Sequence, residues 1–298
     1  MRTPSRVSIV EVGPRDGLQN EKALITTADK IAFVDLLSTA GHRNVEVSAF
    51  VSPKWVPQMG DASEVFAGIT RRDGVRYTAL VPNRAGLTRA IAAGVNEVAI
   101  FAAASETFSH RNINQSIDTS LAIYAEVCRE ALAAGLKVRG YLSTSFGCPY
   151  EGEVAPSRVA DIARRLLDLG VFEVAISDTI GVAHPGQVPL VLDAVTAVMP
   201  LRQVALHFHD TRGTALANVL AGLDYGVTIF DSSAGGLGGC PFAPGAAGNL
   251  ATEDLLYLLD GLGIETGVDL AKVVTASRFM ASRIDHRLPS RYLQSLIS

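Results

Sequence analysis

Residues 203–232 read QVALHFHDTRGTALANVLAGLDYGVTIFDS, and this stretch decides the fold. It opens with a short apolar run over 203–208. It continues over 214–225 with apolar residues three and four apart, stops at Gly226, and resumes as a second β-rich run over 228–230. A near-continuous apolar run is the mark of a strand buried on both faces, and the three-and-four spacing is that of a helix lying over it. A glycine after the last helical turn accepts the left-handed conformation that ends a helix.

The same unit recurs outward in both directions. Further β-rich runs occur at 8–12, 44–47, 75–81, 97–101, 137–142 and 172–176, with helical spacing at 28–40, 116–134, 156–169 and 187–198, and with Gly41, Gly135 and Gly170 closing three of these helices. About eight strands alternating with helices predict an α/β fold, a (β/α)8 TIM barrel, with an open doubly wound sheet as the structural alternative. A Gly-rich stretch over 235–248 follows the last strand, and extra C-terminal helices begin near Thr252. No boundary interrupts this order, so residues 1–298 are expected to form a single TIM-barrel catalytic domain.

Composition narrows the function. Apolar residues make up 48% and charged residues 19% of the 298, which excludes disorder, and a net charge of −4 without a basic run argues against a nucleic-acid partner. No apolar run approaches the roughly 20 residues of a membrane span, and the opening MRTPSRVSIVEV carries neither a secretory signal nor an Arg-rich presequence. The three cysteines (Cys128, Cys148, Cys240) form no CxxC pair, and a reducing, cytoplasmic location is expected.

Polar residues cluster where strands end. Strand one runs into Gly13-Pro14-Arg15-Asp16-Gly17; Glu46 stands in strand two; Ser105 and Glu106 follow strand four; Asp178, His207 with His209, and Asp231 mark strands six to eight. Parallel barrel strands put all these ends around one mouth. Any one Asp or Ser there can be a helix cap, and Asp231 and Ser232 fit that reading. Arg15–Asp16, Glu46 and the histidine pair do not, because isolated charges are costly to bury, so these groups are expected to face one another.

His207-Phe208-His209 has the spacing of two that puts both imidazoles on one face of a strand. With Asp16 and an amide oxygen they make a mixed nitrogen and oxygen site for a divalent cation, Mg or Mn, although Zn or Co also fits such ligands. The segment Gly235-Gly236-Leu237-Gly238-Gly239-Cys240-Pro241 reads as a mobile loop rather than scaffold. Its Cys240 can serve as a proton donor or acceptor on a closing lid, or be an incidental small residue. Cys128 and Cys148 read as structural.

These segments, VEVGPRDGLQNEK, SAFVSPKWVPQMGD, ASETFSHRNIN, GYLSTSFGCPYEG, SDTIGVAHPG, HFHDTRGTALANV and DSSAGGLGGCPFAPGAAGNLATEDLLYLL, resemble the hydroxymethylglutaryl-CoA lyase family, within a barrel superfamily that also holds isopropylmalate and homocitrate synthases. The resemblance implies that Asp16, His207, His209 and Asn249 bind the metal and that Arg15 stabilises enolate charge. It implies that Glu46, Asp178, His207 and Cys240 serve orientation or proton transfer, and that Glu253 supports Asn249. It further implies an acyl-CoA substrate touched by Arg15, Gln19, Ser48 and Ser143, and a homodimer.

The implied reaction cleaves 3-hydroxy-3-methylglutaryl-CoA to acetyl-CoA and acetoacetate. This sequence departs from the mitochondrial-type lyases at Arg212, Phe242, Ala247 and Ser48-Ala49, positions expected beside the pocket, so citramalyl-CoA or isohexenyl-hydroxyglutaryl-CoA is the alternative substrate. A condensing synthase would need a C-terminal regulatory domain for which about 40 residues leave no space. An inactive binding barrel would not keep this residue set intact.

Overall fold

The computed structural model describes residues 3–238 and 248–296. Eight parallel strands close in sequence order: β1 (Ser8–Glu11), β2 (Asn44–Ala49), β3 (Arg76–Leu80), β4 (Glu97–Ala103), β5 (Lys137–Ser143), β6 (Glu173–Asp178), β7 (Val204–Phe208) and β8 (Ile229–Ser232), with β8 pairing back onto β1. The barrel reading holds, and the open-sheet alternative does not. Closure follows from the strands themselves, whose residues are nearly all buried, so each needs a neighbour on both edges and cover on both faces.

The cover comes from α1 (Thr27–Thr39), α2 (Ala62–Gly68), α3 (Arg84–Ala92), α4 (Glu106–Ile113), α5 (Ile117–Ala133), α6 (Pro156–Asp168), α7 (Val188–Thr196) and α8 (Ala215–Tyr225). Three more helices, α9 (Thr252–Gly261), α10 (Leu270–Ala281) and α11 (Arg291–Ser295), follow β8. Local chemistry sets the boundaries. The Ser116 hydroxyl accepts from Thr119 N at the start of α5, and Gly226 ends α8 at φ +105°, a value that strains any residue with a Cβ. Helices α2, α3 and α4 are short and carry too few apolar residues for their spacing to stand out in the sequence, whereas α7, no longer than α3, is rich in Val and Leu.

Two strand ends differ from expectation in ways that matter for the site. Strand β8 runs on through Asp231 and Ser232, so Asp231 is part of the barrel wall and not a helix cap. After β1 the chain turns at once into a single helical turn over Gly13–Gly17, with Val12 O accepting from both Asp16 N and Gly17 N. No described helix is long and apolar enough to cross a membrane.

Candidate active site

The turn over Gly13–Gly17 delivers Arg15 and Asp16 to the mouth of the barrel. Arg15 is buried, and its Nη1 donates to Asp16 Oδ1 at 2.7 Å while its Nη2 lies 2.8 Å from Glu46 Oε2. The guanidinium also lies 5.4 Å from the centre of the Tyr141 ring, and Tyr141 Oη donates to the same Glu46 oxygen at 3.0 Å. Arg15 is thus held on three sides. Burial pushes the Glu46 carboxyl up, against the pull of Arg15. For Asp16 the balance is reversed: desolvation would raise it, but Arg15, His207 and His209 bring it down to about 2.

Strand β7 presents His207, and His209 follows just past its end, with ring centres 5.3 Å apart. Ligand atoms of Asp16, His207 and His209 all lie within 4.8 Å of one another. Asp231 faces His207 Nδ1 at 3.2 Å and takes two hydrogen bonds from Arg139, 3.1 Å from Nη1 and 2.7 Å from Nη2. Anchoring Nδ1 in this way leaves Nε2 as the atom of His207 that could meet a metal ion. Burial holds the His209 imidazole down to about 4, so it stands neutral and able to ligate.

Asn249 arrives from a different direction. The chain returns along β7, with Leu250 N donating to Phe208 O at 3.0 Å and residues 209 and 249 forming an antiparallel bridge. Asn249 Nδ2 donates to Asp16 Oδ2 at 2.8 Å and to Leu237 O at 3.1 Å. Asn249 Oδ1 and His209 Nδ1 are buried without a hydrogen-bond partner. An orphaned amide oxygen beside two imidazoles and a carboxylate fits a divalent cation of the oxygen- and nitrogen-preferring kind.

Of these groups Arg15, Asp16, His207 and His209 line a cavity of about 810 Å³, together with Gln19, Ser143, Ser177 and Thr179 and an apolar flank that includes Val51, Leu80, Phe101 and Ile123. Gln19 and Ser143 therefore stand where contact with a ligand is possible. Several other predicted residues do not. The Ser48 hydroxyl donates to Met59 Sδ at 3.5 Å, beyond a bulge in β2, and does not line the cavity. Asp178 accepts from Val182 N and Ala183 N at 2.9 and 3.0 Å, which ties down the turn after β6, and burial raises it to about 6. Glu253 accepts from Gly235 N at 2.8 Å rather than meeting Asn249.

The Gly-rich segment is packed in its described part. Ala234–Gly236 form one buried turn with Gly235 and Gly236 at φ +70° and +73°, and a Cβ at Gly238 would come within 2.6 Å of Asn249 Nδ2. Its glycines permit close approach and not only mobility. Cys240 lies outside the described residues, as do Phe242 and Ala247. Arg212 turns away from the cavity to donate to the carbonyls of Ile180 and Gly181 at 3.0 and 2.8 Å, so neither it nor Ser48 shapes the pocket wall. Ser105 caps α4, and the Glu106 carboxylate accepts from Ile117 N, as the cap reading holds. Sequence reasoning missed Arg139 and the part played by Asp231.

A barrel with a candidate metal-ligating cluster at the C-terminal ends of its strands, lining a cavity, fits the class of metal-assisted barrel enzymes. Comparison gives the family. Residues 6–280 match the HMGL-like family. The mitochondrial hydroxymethylglutaryl-CoA lyase of Bos taurus is 52% identical over 98% of this chain and 90% of its own. A 3-hydroxy-3-isohexenylglutaryl-CoA/hydroxymethylglutaryl-CoA lyase of Pseudomonas aeruginosa is 52% identical over 100% of this chain and 99% of its own. The crystal structure of a hydroxymethylglutaryl-CoA lyase from Pseudomonas aeruginosa superposes with a TM-score of 0.98 at 52% identity, covering 100% of this chain and 99% of that one. The chain belongs to the hydroxymethylglutaryl-CoA lyase family, whose members are carbon–carbon lyases.

Proposed function

We propose that this enzyme cleaves 3-hydroxy-3-methylglutaryl-CoA to acetyl-CoA and acetoacetate. The observation that carries the reading is Arg15, fixed by Asp16, Glu46 and Tyr141, beside the ligand atoms of Asp16, His207 and His209 on one cavity floor. Asp16, His207, His209 and Asn249 would hold a divalent cation, Mg or Mn. Such an ion supplies Lewis-acid polarisation of the substrate's oxygens.

A base at the site takes the proton of the 3-hydroxyl, the C2–C3 bond breaks, and its electron pair moves onto the thioester as an enolate. Arg15 donates to that enolate oxygen. A rigid donor aimed at developing charge contributes about 3 kcal/mol, and the planar guanidinium cannot lose its proton to the reaction. Protonation at C2 gives acetyl-CoA, and the remaining four-carbon ketone leaves as acetoacetate. Glu46 and Tyr141 keep the guanidinium in place. Cys240 and His207 are the proton carriers in this reading, and Gln19 and Ser143 hold substrate oxygens. The buried free thiols Cys128 and Cys148 fit a reducing, cytoplasmic setting.

The test is a mass-spectrometric product assay with Mg. Acetyl-CoA and acetoacetate in equal amounts, abolished by EDTA, are the expected result, and no metal-dependent cleavage would overturn the reading. The apolar flank of the cavity favours one second reading, that a larger apolar 3-substituent is also accepted, as the name of the Pseudomonas aeruginosa relative states for that protein. The isohexenyl analogue in the same assay decides it.

A further inference from the structure

Glu11, the last residue of β1, is fully buried and has no place among the groups on the cavity floor. Its carboxyl instead joins three segments. Oε1 accepts from Gly13 N at 2.8 Å and from Ala234 N at 2.9 Å, and Oε2 shares a hydrogen bond with Thr252 Oγ1 at 2.7 Å. Gly13 opens the turn that carries Arg15 and Asp16, Ala234 opens the Gly-rich segment, and Thr252 stands three residues after Asn249. One side chain therefore holds both halves of the site, which come from opposite ends of the chain.

The packing around it leaves no slack. A Cβ at Gly13 would lie 2.7 Å from Glu11 Oε1, and a Cβ at Gly17 would lie 2.8 Å from the Leu237 Cβ. Thr252 Oγ1 also meets Ser232 Oγ at 2.8 Å, and Glu253 binds Gly235 N, so the same junction is laced by neighbouring bonds. Among the described residues no cation pairs with Glu11: the basic group nearest in the ion-pair geometry, His42 at 3.6 Å, is held neutral by burial. Burial also pushes Glu11 itself up to about 8, so at neutral pH the carboxyl keeps its proton, and the 2.7 Å bond then runs from the protonated Oε2 to Thr252 Oγ1.

We propose that Glu11 is a positioning residue for the lyase reaction, setting the Arg15–Asp16 turn in register with the Gly-rich segment and Asn249 through its three hydrogen bonds. The proposal rests on the reading above for the reaction, while metal binding tests it separately. A glutamine offers the same pattern: its carbonyl accepts from both backbone N–H groups, and its amide donates to Thr252 Oγ1, whose hydrogen turns to Ser232.

The experiment compares Glu11→Gln, Glu11→Ala and Gly13→Ala for kcat, KM and the Kd for Mn²⁺ by calorimetry, with circular dichroism as the check on folding. Displaced supports of metal ligands cost about 10- to 100-fold in affinity or activity. Glu11→Ala is expected to lower kcat by about that factor and to weaken Mn²⁺ binding about tenfold at nearly unchanged KM, whereas Glu11→Gln stays within about threefold of the parent in both. If Glu11→Ala does not fold, Gly13→Ala presses on the same carboxyl and is expected to lower kcat about tenfold. Folded Glu11→Ala or Gly13→Ala with parental kcat and Mn²⁺ affinity overturns the proposal, as does a Glu11→Gln as impaired as Glu11→Ala. Should the parent not cleave the thioester at all, the reaction assignment fails, and the Mn²⁺ comparison still decides the role of Glu11.

Discussion

Two layers of polar side chains fill the upper barrel, and they differ in how fully their hydrogen bonds are met. In the layer beneath the mouth, Arg139 is fully buried and donates to Glu173 at 2.6 Å and to both oxygens of Asp231. All three of its nitrogens donate, and two carboxylates face its charge. In the layer at the mouth, Arg15 Nε, Glu46 Oε1, His209 Nδ1 and Asn249 Oδ1 are all buried and all without a partner. Leaving such atoms unmet costs about 1–3 kcal/mol each, more for charged groups, so a stable protein tolerates them together where a ligand completes them. His207 belongs to both layers, anchored below through Nδ1 and lining the cavity above.

The largest effect that tests this contrast is at the mouth itself. His209→Ala removes a ligand and nothing from the lower layer, so it is expected to abolish tight Mn²⁺ binding and to lower kcat on the order of 10³-fold while the melting temperature of the metal-free protein is kept. Metal content by mass spectrometry and turnover read the two quantities, and tight metal binding retained in the variant would sink the ligand assignment.

Arg15→Gln separates the chemistry from the ion. The loss of a fixed donor to the enolate is expected to lower kcat by about 10²–10³-fold, with Mn²⁺ affinity changing far less. Arg15→Lys should fall between the two, because an ammonium cannot reach Asp16, Glu46 and the substrate at once in the guanidinium's planar arrangement. A variant that loses metal in proportion to its turnover would merge Arg15 with the ligands and break the distinction drawn here.

Asp231→Asn tests the link between the layers. It leaves Arg139 with one carboxylate instead of two and His207 without its anchor, so metal affinity should fall about 10- to 100-fold. Stability should fall as well, by about 3–5 kcal/mol if the guanidinium finds no new partner. Chemical denaturation and calorimetry measure the two losses separately. Loss of stability without loss of metal affinity would make Asp231 part of the lower layer alone.

What the sequence could show of all this depends on how far apart the partners are along it. The His-x-His spacing and the apolar runs are local, and they place β7, its two imidazoles and the barrel correctly. Arg139 and Asp231 are 92 residues apart, and nothing in either neighbourhood names the other, so Asp231 reads as a cap until β5, β7 and β8 are seen to converge. Asn249 enters through resemblance alone, because a polar residue in a glycine stretch has no periodicity to orient it. Glu11 and Glu46 carry the same signal, a carboxylate inside an apolar strand, yet β2 aims one at Arg15 and β1 turns the other toward Thr252 of α9. The signal that marked Glu46 could have found Glu11 too, though not its partners.

The subtlest expected effect follows from that last pair. Glu11 has an ordinary value of 4.5 that burial raises to about 8 in the folded protein. Below about pH 4 the acid is protonated in both folded and unfolded chains, and Glu11→Gln should have nearly the parent's stability. Between pH 4.5 and about 8 the unfolded parent releases the proton while the folded parent keeps it. The folded state then binds more protons, so the parent loses stability as pH rises, whereas the neutral amide does not. At about 1.4 kcal/mol per pKa unit the gap reaches a few kcal/mol near pH 8, and Glu11→Gln should melt several degrees higher there than the parent. Glu253, raised to about 7 by the same burial, remains in both proteins and largely cancels in the difference. Denaturation curves at pH 5 and pH 8 make the comparison, and an equal gap at both would mean that Glu11 is ionised in the folded protein and that the junction is held by charge rather than by a neutral acid's hydrogen bonds.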